Sequence, residues 1–244
     1  MKHALLLICI LCLAAGAFCI QAPVKLTIVT ESYPPLSFAQ GDSITGYGAE
    51  VVKVLQKAVG NHDKITLMKW DDAYKLALKE PNVLIFTLER TPARDTLFSW
   101  IGPLGENKTY FYGLKKTGIT LTNLDDAKKV KAIATTTNWF TEQLLKDKGF
   151  KNLVSSATPV ENVKQLMKGK ATLSIFTDLT VGQIVKDAGY TMDDIVPVYE
   201  VMTTGFYLGF SKKTDPATVK AWQKAFIDMR KSGQLMMLRK KCLY

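Results

Sequence analysis

Histidine is almost missing from this chain. Of 244 residues only His3 and His62 carry an imidazole, and His62 lies in the polar turn Asn61-His62-Asp63. A lone loop imidazole is far more often solvated than basic, so Ser–His–Asp, Cys–His and histidine-ligated metal chemistry all lack their parts. Cysteine is equally sparse: Cys9, Cys12, Cys19 and Cys242. Three of the four fall in the first 19 residues, which leaves no disulfide framework and no metal-ligand spacing in the body of the chain. No G-x-S-x-G, H-E-x-x-H or P-loop occurs. Low-complexity segments, short-period repeats and Gly/Ser linkers are absent too. Beyond the first 22 residues no apolar run approaches the roughly 18 that a membrane span needs.

What is present begins with a leader. Met1-Lys2-His3 is a short positive region, Ala4 to Leu13 is uninterruptedly apolar, and Ala14-Ala15-Gly16-Ala17 is a small-residue exit. This reads as a secretory signal peptide over residues 1–22. Cleavage after Ala17 or Cys19 fits; a cut after Ala22 would put Pro23 at the new N-terminus. Cys19 admits lipid anchoring, but the bulky Phe18 stands where a small residue is needed, so the soluble secreted form is expected. The whole sequence is 47% hydrophobic and 22% charged, enough for one large core or two small ones. The net charge is +10, or +9 without Lys2. Lys115-Lys116, Lys128-Lys129-Lys131 and Arg239-Lys240-Lys241 sit near element ends, where cations suit helix C-termini. With no nucleic-acid motif among them, nucleic acid is not expected as a partner.

Strand-like and helix-like segments alternate. Leu26 to Thr30 is a short apolar strand. Val52, Leu55 and Val59 mark a helix from about Gly48, closed by Gly60-Asn61. Ile65 to Lys69 reads as strand, then a helix capped by Asp71 or Asp72 and stopped by Pro81, then strand 83–88. Strands are expected at 108–115, 131–135, 171–176, 195–199 and 205–210, and helices at 139–148, 160–167, 181–188, 216–231 and 234–241. Repeated βα units imply mainly parallel sheets covered by helices.

The most informative stretch is Asn82 to Pro103, NVLIFTLERTPARDTLFSWIGP. A buried strand runs into Thr91-Pro92-Ala93-Arg94, with Thr91 as helix N-cap and Pro92 as first helical residue. Free amides at the helix start and the Arg94 guanidinium would form a carboxylate cradle at the strand's carboxyl end, where ligands bind in open α/β sheets. Arg90 is the rival guanidinium, and Asp95 or Glu89 the nearest ion-pair partners for Arg94.

This stretch resembles the extracellular solute-binding proteins of bacterial uptake systems, in the branch that captures polar amino acids. There a strand leads to Thr-x-x-Arg, and nine residues beyond the Arg comes the Pro of Phe-Ser-x-Pro-Tyr. Here Pro103 lies nine positions after Arg94, Trp100 takes the Phe place and Leu104 the Tyr place. Tyr33-Pro34-Pro35-Leu36 resembles the family's Tyr-Pro-Pro-Phe, and Gly46-Tyr47-Gly48-Ala49-Glu50 its Gly-Phe-x-x-Asp helix entrance.

The resemblance implies a two-lobed type II periplasmic-binding-protein fold, α/β, with ligand in the cleft between lobes. Residues 23–112 plus 204–244 would form lobe 1 and residues 113–203 lobe 2. Hinge crossings would fall at Tyr112-Gly113 and Thr203-Thr204-Gly205. It implies a monomer that captures an amino acid or similar carboxylate and delivers it to an ABC transporter permease, with no cofactor. The implied contacts are Arg94 on the ligand carboxylate, Tyr33 and Trp70 as aromatic walls (Trp70 equally a core residue), and Thr136, Thr137 and Asn138 on the far side. Asp178 would hold the ammonium, or Thr177 if the register slips by one; the alternative for Asp178 is helix N-cap. Glu89 is the further cleft residue. Some relatives are cyclohexadienyl dehydratases, so a carboxylate-driven enzyme using Glu89 or Asp178, or a sensor without a transporter, are the alternative readings.

Overall fold

The computed structural model describes residues 24–243; the leader with Cys19, and Tyr244, lie outside these. In chain order the elements are β1 (Thr27–Thr30), β2 (Phe38–Gln40), β3 (Ser43–Thr45), α1 (Tyr47–Val59), β4 (Ile65–Leu67), α2 (Trp70–Lys79), β5 (Val83–Glu89) and β6 (Phe98–Leu114). Then follow α3 (Leu124–Lys129), β7 (Ile133–Thr136), α4 (Phe140–Asp147), β8 (Leu153–Ser156), α5 (Pro159–Met167), β9 (Leu173–Thr177) and α6 (Val181–Asp187). The last three are β10 (Ile195–Ser211), α7 (Pro216–Lys231) and α8 (Gln234–Leu243).

Eight strands join in the order β4-β1-β5-β10-β6-β9-β7-β8. The pairings β4/β1, β1/β5, β9/β7 and β7/β8 are parallel, and the three around β10 and β6 are antiparallel. Helices cover the parallel halves, because strands such as Val83 to Glu89 are buried along their whole length and need apolar cover on both faces. One half packs Ile28 of β1, Leu84 of β5 and Leu208 of β10 in one apolar cluster with Leu55 of α1 and Trp222 of α7. The other packs Val163, Leu166 and Val185 against Phe176 and Tyr112. Strands β6 and β10, each of 17 residues, pair with each other in the middle of the sheet and run through both halves.

Several expected elements are lengthened or moved. The segments 195–199 and 205–210 are one strand, since β10 stays paired with β6 across the residues between, with register shifts at Pro197/Tyr199, Glu200/Met202 and Phe206/Leu208. The helix at Thr91 is not formed: Pro92–Arg94 is a three-residue 3₁₀ turn, Thr91 makes no side-chain cap, and a turn over 95–97 leads into β6. The Arg94 amide already donates to the Thr91 carbonyl at 3.0 Å, so the free-amide part of the cradle is withdrawn. Asp71 and Asp72 lie in the first turn of α2 behind Lys69 at the N-cap, where their charge still favours the positive helix end.

Candidate functional site

The site is built where β1 and β5 end. Thr87 has φ 58, a left-handed conformation rare for a β-branched residue. It falls where the β10 register jumps from Tyr207↔Leu88 to Leu208↔Phe86, the mark of a β-bulge. Its hydroxyl lies 3.2 Å from that of Thr30 and its side chain covers Gly48, where a Cβ would meet Thr87 Cγ2 at 2.4 Å. Beyond the bulge Glu89 is buried, and after Thr91 so is Arg94, 1% exposed.

Glu31, Tyr33, Trp70, Glu89, Arg94, Trp139 and Phe140 line a narrow cavity. Arg94 lies 5.0 Å from the ring centroids of Trp70 and Tyr74, which stack on each other at 5.3 Å. Its Nε and Nη1 are buried and have no hydrogen-bond partner among the described residues. A buried guanidinium with two unpaired nitrogens is an expensive feature. Burial lowers the Arg94 pKa, opposed by Glu89. Two carboxyls share the cavity with it. Burial, then Glu89, pushes Glu31 up to about 8, against the pull of Arg94 and the Trp139 indole. Burial likewise pushes Glu89 up to about 7, opposed by Arg94 and by Asn107, whose amide donates to it at 3.5 Å.

The two halves meet at this cavity. The Tyr33 hydroxyl lies 3.2 Å from the Thr177 hydroxyl and accepts from Thr180 at 3.2 Å. On the opposite wall Trp70 Nε1 donates to the Asn138 carbonyl at 3.0 Å, and the Asn138 amide to Asp71 at 2.8 Å. Asn138 has φ 61, tolerable for asparagine. Its backbone N–H donates to Glu142 at 2.9 Å. That turn sends Trp139 back across the cavity to meet Tyr33 edge-on, centroids 5.1 Å apart.

Of the residues singled out from sequence, Arg94, Tyr33, Trp70 and Glu89 come together here, and Asn138 forms a wall. The others do not. The Thr136 hydroxyl shares a 2.8 Å hydrogen bond with the Asn162 side chain, and the Thr137 hydroxyl donates to the Ser156 carbonyl at 3.0 Å, both within the second half. Asp178 is exposed, its carboxylate accepting from the Lys108 amide at 3.0 Å. It does not cap α6 either, because Thr180 holds the N-cap position. Thr177, one residue earlier and so on the other face of β9, is the one that points inward. Arg90 is exposed, ion-paired to Asp95 at 2.6 Å and stacked on Trp100 and Tyr207. Sequence reasoning overlooked Glu31 and Trp139. An acid at the end of β1, two residues before the Tyr33 signature, was a usable signal for the first; Trp139 had none without the Asn138 turn.

A bilobal α/β fold with a buried arginine in the cleft defines a solute-binding architecture. A family model for bacterial extracellular solute-binding proteins, family 3, matches residues 26–243, and the chain belongs to that family. A histidine kinase sensor domain described as similar to periplasmic binding proteins superimposes with TM-score 0.78 at 18% identity, covering 89% of this chain and 96% of its own. ArtJ, the arginine-, lysine- and histidine-binding protein of Geobacillus stearothermophilus, gives 0.75 at 18%, covering 90% and 95%. The ancestral amino acid-binding protein AncCDT-1, a precursor of cyclohexadienyl dehydratase, gives 0.74 at 18%, covering 90% and 95%. At such identities the likeness is one of fold. A comparison with curated proteins gave no match.

Proposed function

We propose that the protein captures a small carboxylate-bearing solute, an amino acid, in the cleft lined by Arg94 and presents the closed form to an ABC transporter permease. The observation that carries this is the Arg94 guanidinium, buried with Nε and Nη1 unpaired beside a cavity. Paired N–H groups in a rigid fork match a carboxylate bidentately. Glu31 and Glu89 face the same cavity and supply acceptors for an ammonium. A ligand touching both halves favours the shut form by its differential affinity. Residues 23–112 with 204–244, and 113–203, would rotate as bodies about β6 and β10. Secretion to the periplasm through residues 1–22, and action as a monomer, complete the reading; no helix among the described residues is long and apolar enough to cross a membrane.

Isothermal titration against the amino acids tests it. Arg94→Ala should weaken the ligand that binds by about 2–5 kcal/mol, because it leaves a carboxylate buried and unpaired. Equal affinity in both proteins would sink the assignment. A second reading is favoured by one observation: carboxyls held near neutral pKa in a cleft suit general acid–base work. On that reading Glu31 or Glu89 moves a proton on a dehydratase substrate, and turnover rather than saturable 1:1 binding is what the assay would record.

A further inference from the structure

We propose that the outer face of α8 is a docking surface for anionic phospholipid, seating the protein on a membrane without spanning it. This contact is separate from solute capture, because no residue of α8 lines the Arg94 cavity. Helix α8 is two-sided. Leu235, Leu238 and Cys242, at helical spacing, pack with Leu243 against the apolar cluster that holds Leu55 of α1 and Trp222 of α7. The opposite face carries Met236, Met237, Lys240 and Lys241, all exposed, each methionine one turn before a lysine. At 58% and 63% exposure the two methionines are the most open large apolar side chains among the described residues.

Charge selects the occupant. From Met229 to Tyr244 the sequence has Arg230, Lys231, Arg239, Lys240 and Lys241 and no Asp or Glu. None of these cations is ion-paired to a side chain among the described residues. The acids nearby are engaged elsewhere: Asp228 pairs with Lys224 and Glu50 with Lys53, each at 2.7 Å. A helix C-terminus accounts for lysines at 240 and 241, but not for two open methionines beside them. Apolar side chains and cations on one helix face suit the boundary of a bilayer. There the apolar groups enter the acyl region and the cations meet lipid phosphate. The unbranched methionine side chain adapts to such an irregular surface. Duplex DNA would engage the cations and leave the methionines in water.

The test is co-sedimentation of the chain without residues 1–22 with vesicles of phosphatidylglycerol and phosphatidylcholine in equal parts, and of phosphatidylcholine alone. Wild type should bind the anionic vesicles in low salt, bind the neutral ones at least about tenfold more weakly, and lose most of its binding at about 0.5 M salt. Each cation beside an anionic surface is worth about fivefold in affinity. Lys240→Glu with Lys241→Glu should therefore bind at least about 25-fold more weakly. Met236→Ser with Met237→Ser should lose at least about fivefold while keeping the salt dependence. Lys240→Ala with Lys241→Ala, which adds no repulsion and guards against misfolding, should fall between the lysine-to-glutamate pair and wild type. All four positions are exposed, so every variant should unfold in urea at the wild-type midpoint. Wild type failing to bind the anionic vesicles in low salt, binding phosphatidylcholine as tightly, or binding no better than the variants overturns the proposal. A methionine-dependent dimer in analytical ultracentrifugation overturns it too, by placing a second copy on this face, as does duplex DNA bound as tightly as the vesicles.

Discussion

Replacing Glu89 by glutamine isolates the carboxyl whose burial the site enforces. Glu89 sits 4% exposed beside Glu31 and Arg94, and its pKa rises from 4.5 to about 7 on folding, chiefly through desolvation. A raised carboxyl pKa means that the folded state holds its proton more tightly than the unfolded one. The associated stability is therefore fully present below pH 4.5 and lost as pH rises through 7. A gap of about 2.5 pH at about 1.36 kcal/mol per pH amounts to about 3 kcal/mol. Glutamine keeps the shape and cannot ionise. The stability difference between Glu89→Gln and wild type should therefore move by about 3 kcal/mol in the variant's favour between pH 4 and pH 8. Releasing Glu31 from its neighbour's charge acts in the same direction. Urea unfolding at several pH values and constant ionic strength gives both curves, with equal m-values as the check that the unfolded states match. Parallel curves for the two proteins would refute the burial argument. So would a variant that loses ground as pH rises.

Two further outcomes follow from the same geometry. Asp178→Asn should leave ligand affinity within about threefold, because the carboxylate is exposed and turned to the Lys108 amide; a large loss in titration calorimetry would put Asp178 in the cleft after all. Glu142→Ala should cost about 1 kcal/mol by urea unfolding, since it removes the carboxylate that the Asn138 N–H and the Ser155 and Thr135 hydroxyls share, while exposed Asn138 and Ser155 can turn to water.

The fold was largely legible because burial is periodic in its elements. Helix α7 is predicted and found at Pro216–Lys231, with Pro at its start and Gly233 beyond its end. What escaped was short or decided at a distance. Strand β8 reads LVSS, with only its last residue buried, and it is held by pairing to β7. Helix α3 rests on an Asn123–Asp126 capping box rather than on an apolar stripe. In the site, the Arg94 neighbourhood was readable because Pro92 and the strand before it are local signals. The choice between Thr177 and Asp178 was not, since one residue of strand register exchanges inside for outside. Trp139 depends on a single positive φ that an asparagine accepts and does not advertise.

Strand β10 stands between β5 and β6, and this has a temporal meaning. Until residues 195–211 leave the ribosome, the chain can assemble only β4-β1-β5 on one side and β6-β9-β7-β8 on the other, with bare edges facing each other. Both cores then finish together, on one late strand of high sequence separation from its partners. Long-range closure of this kind is slow, so the nascent chain remains incompletely folded for most of its synthesis.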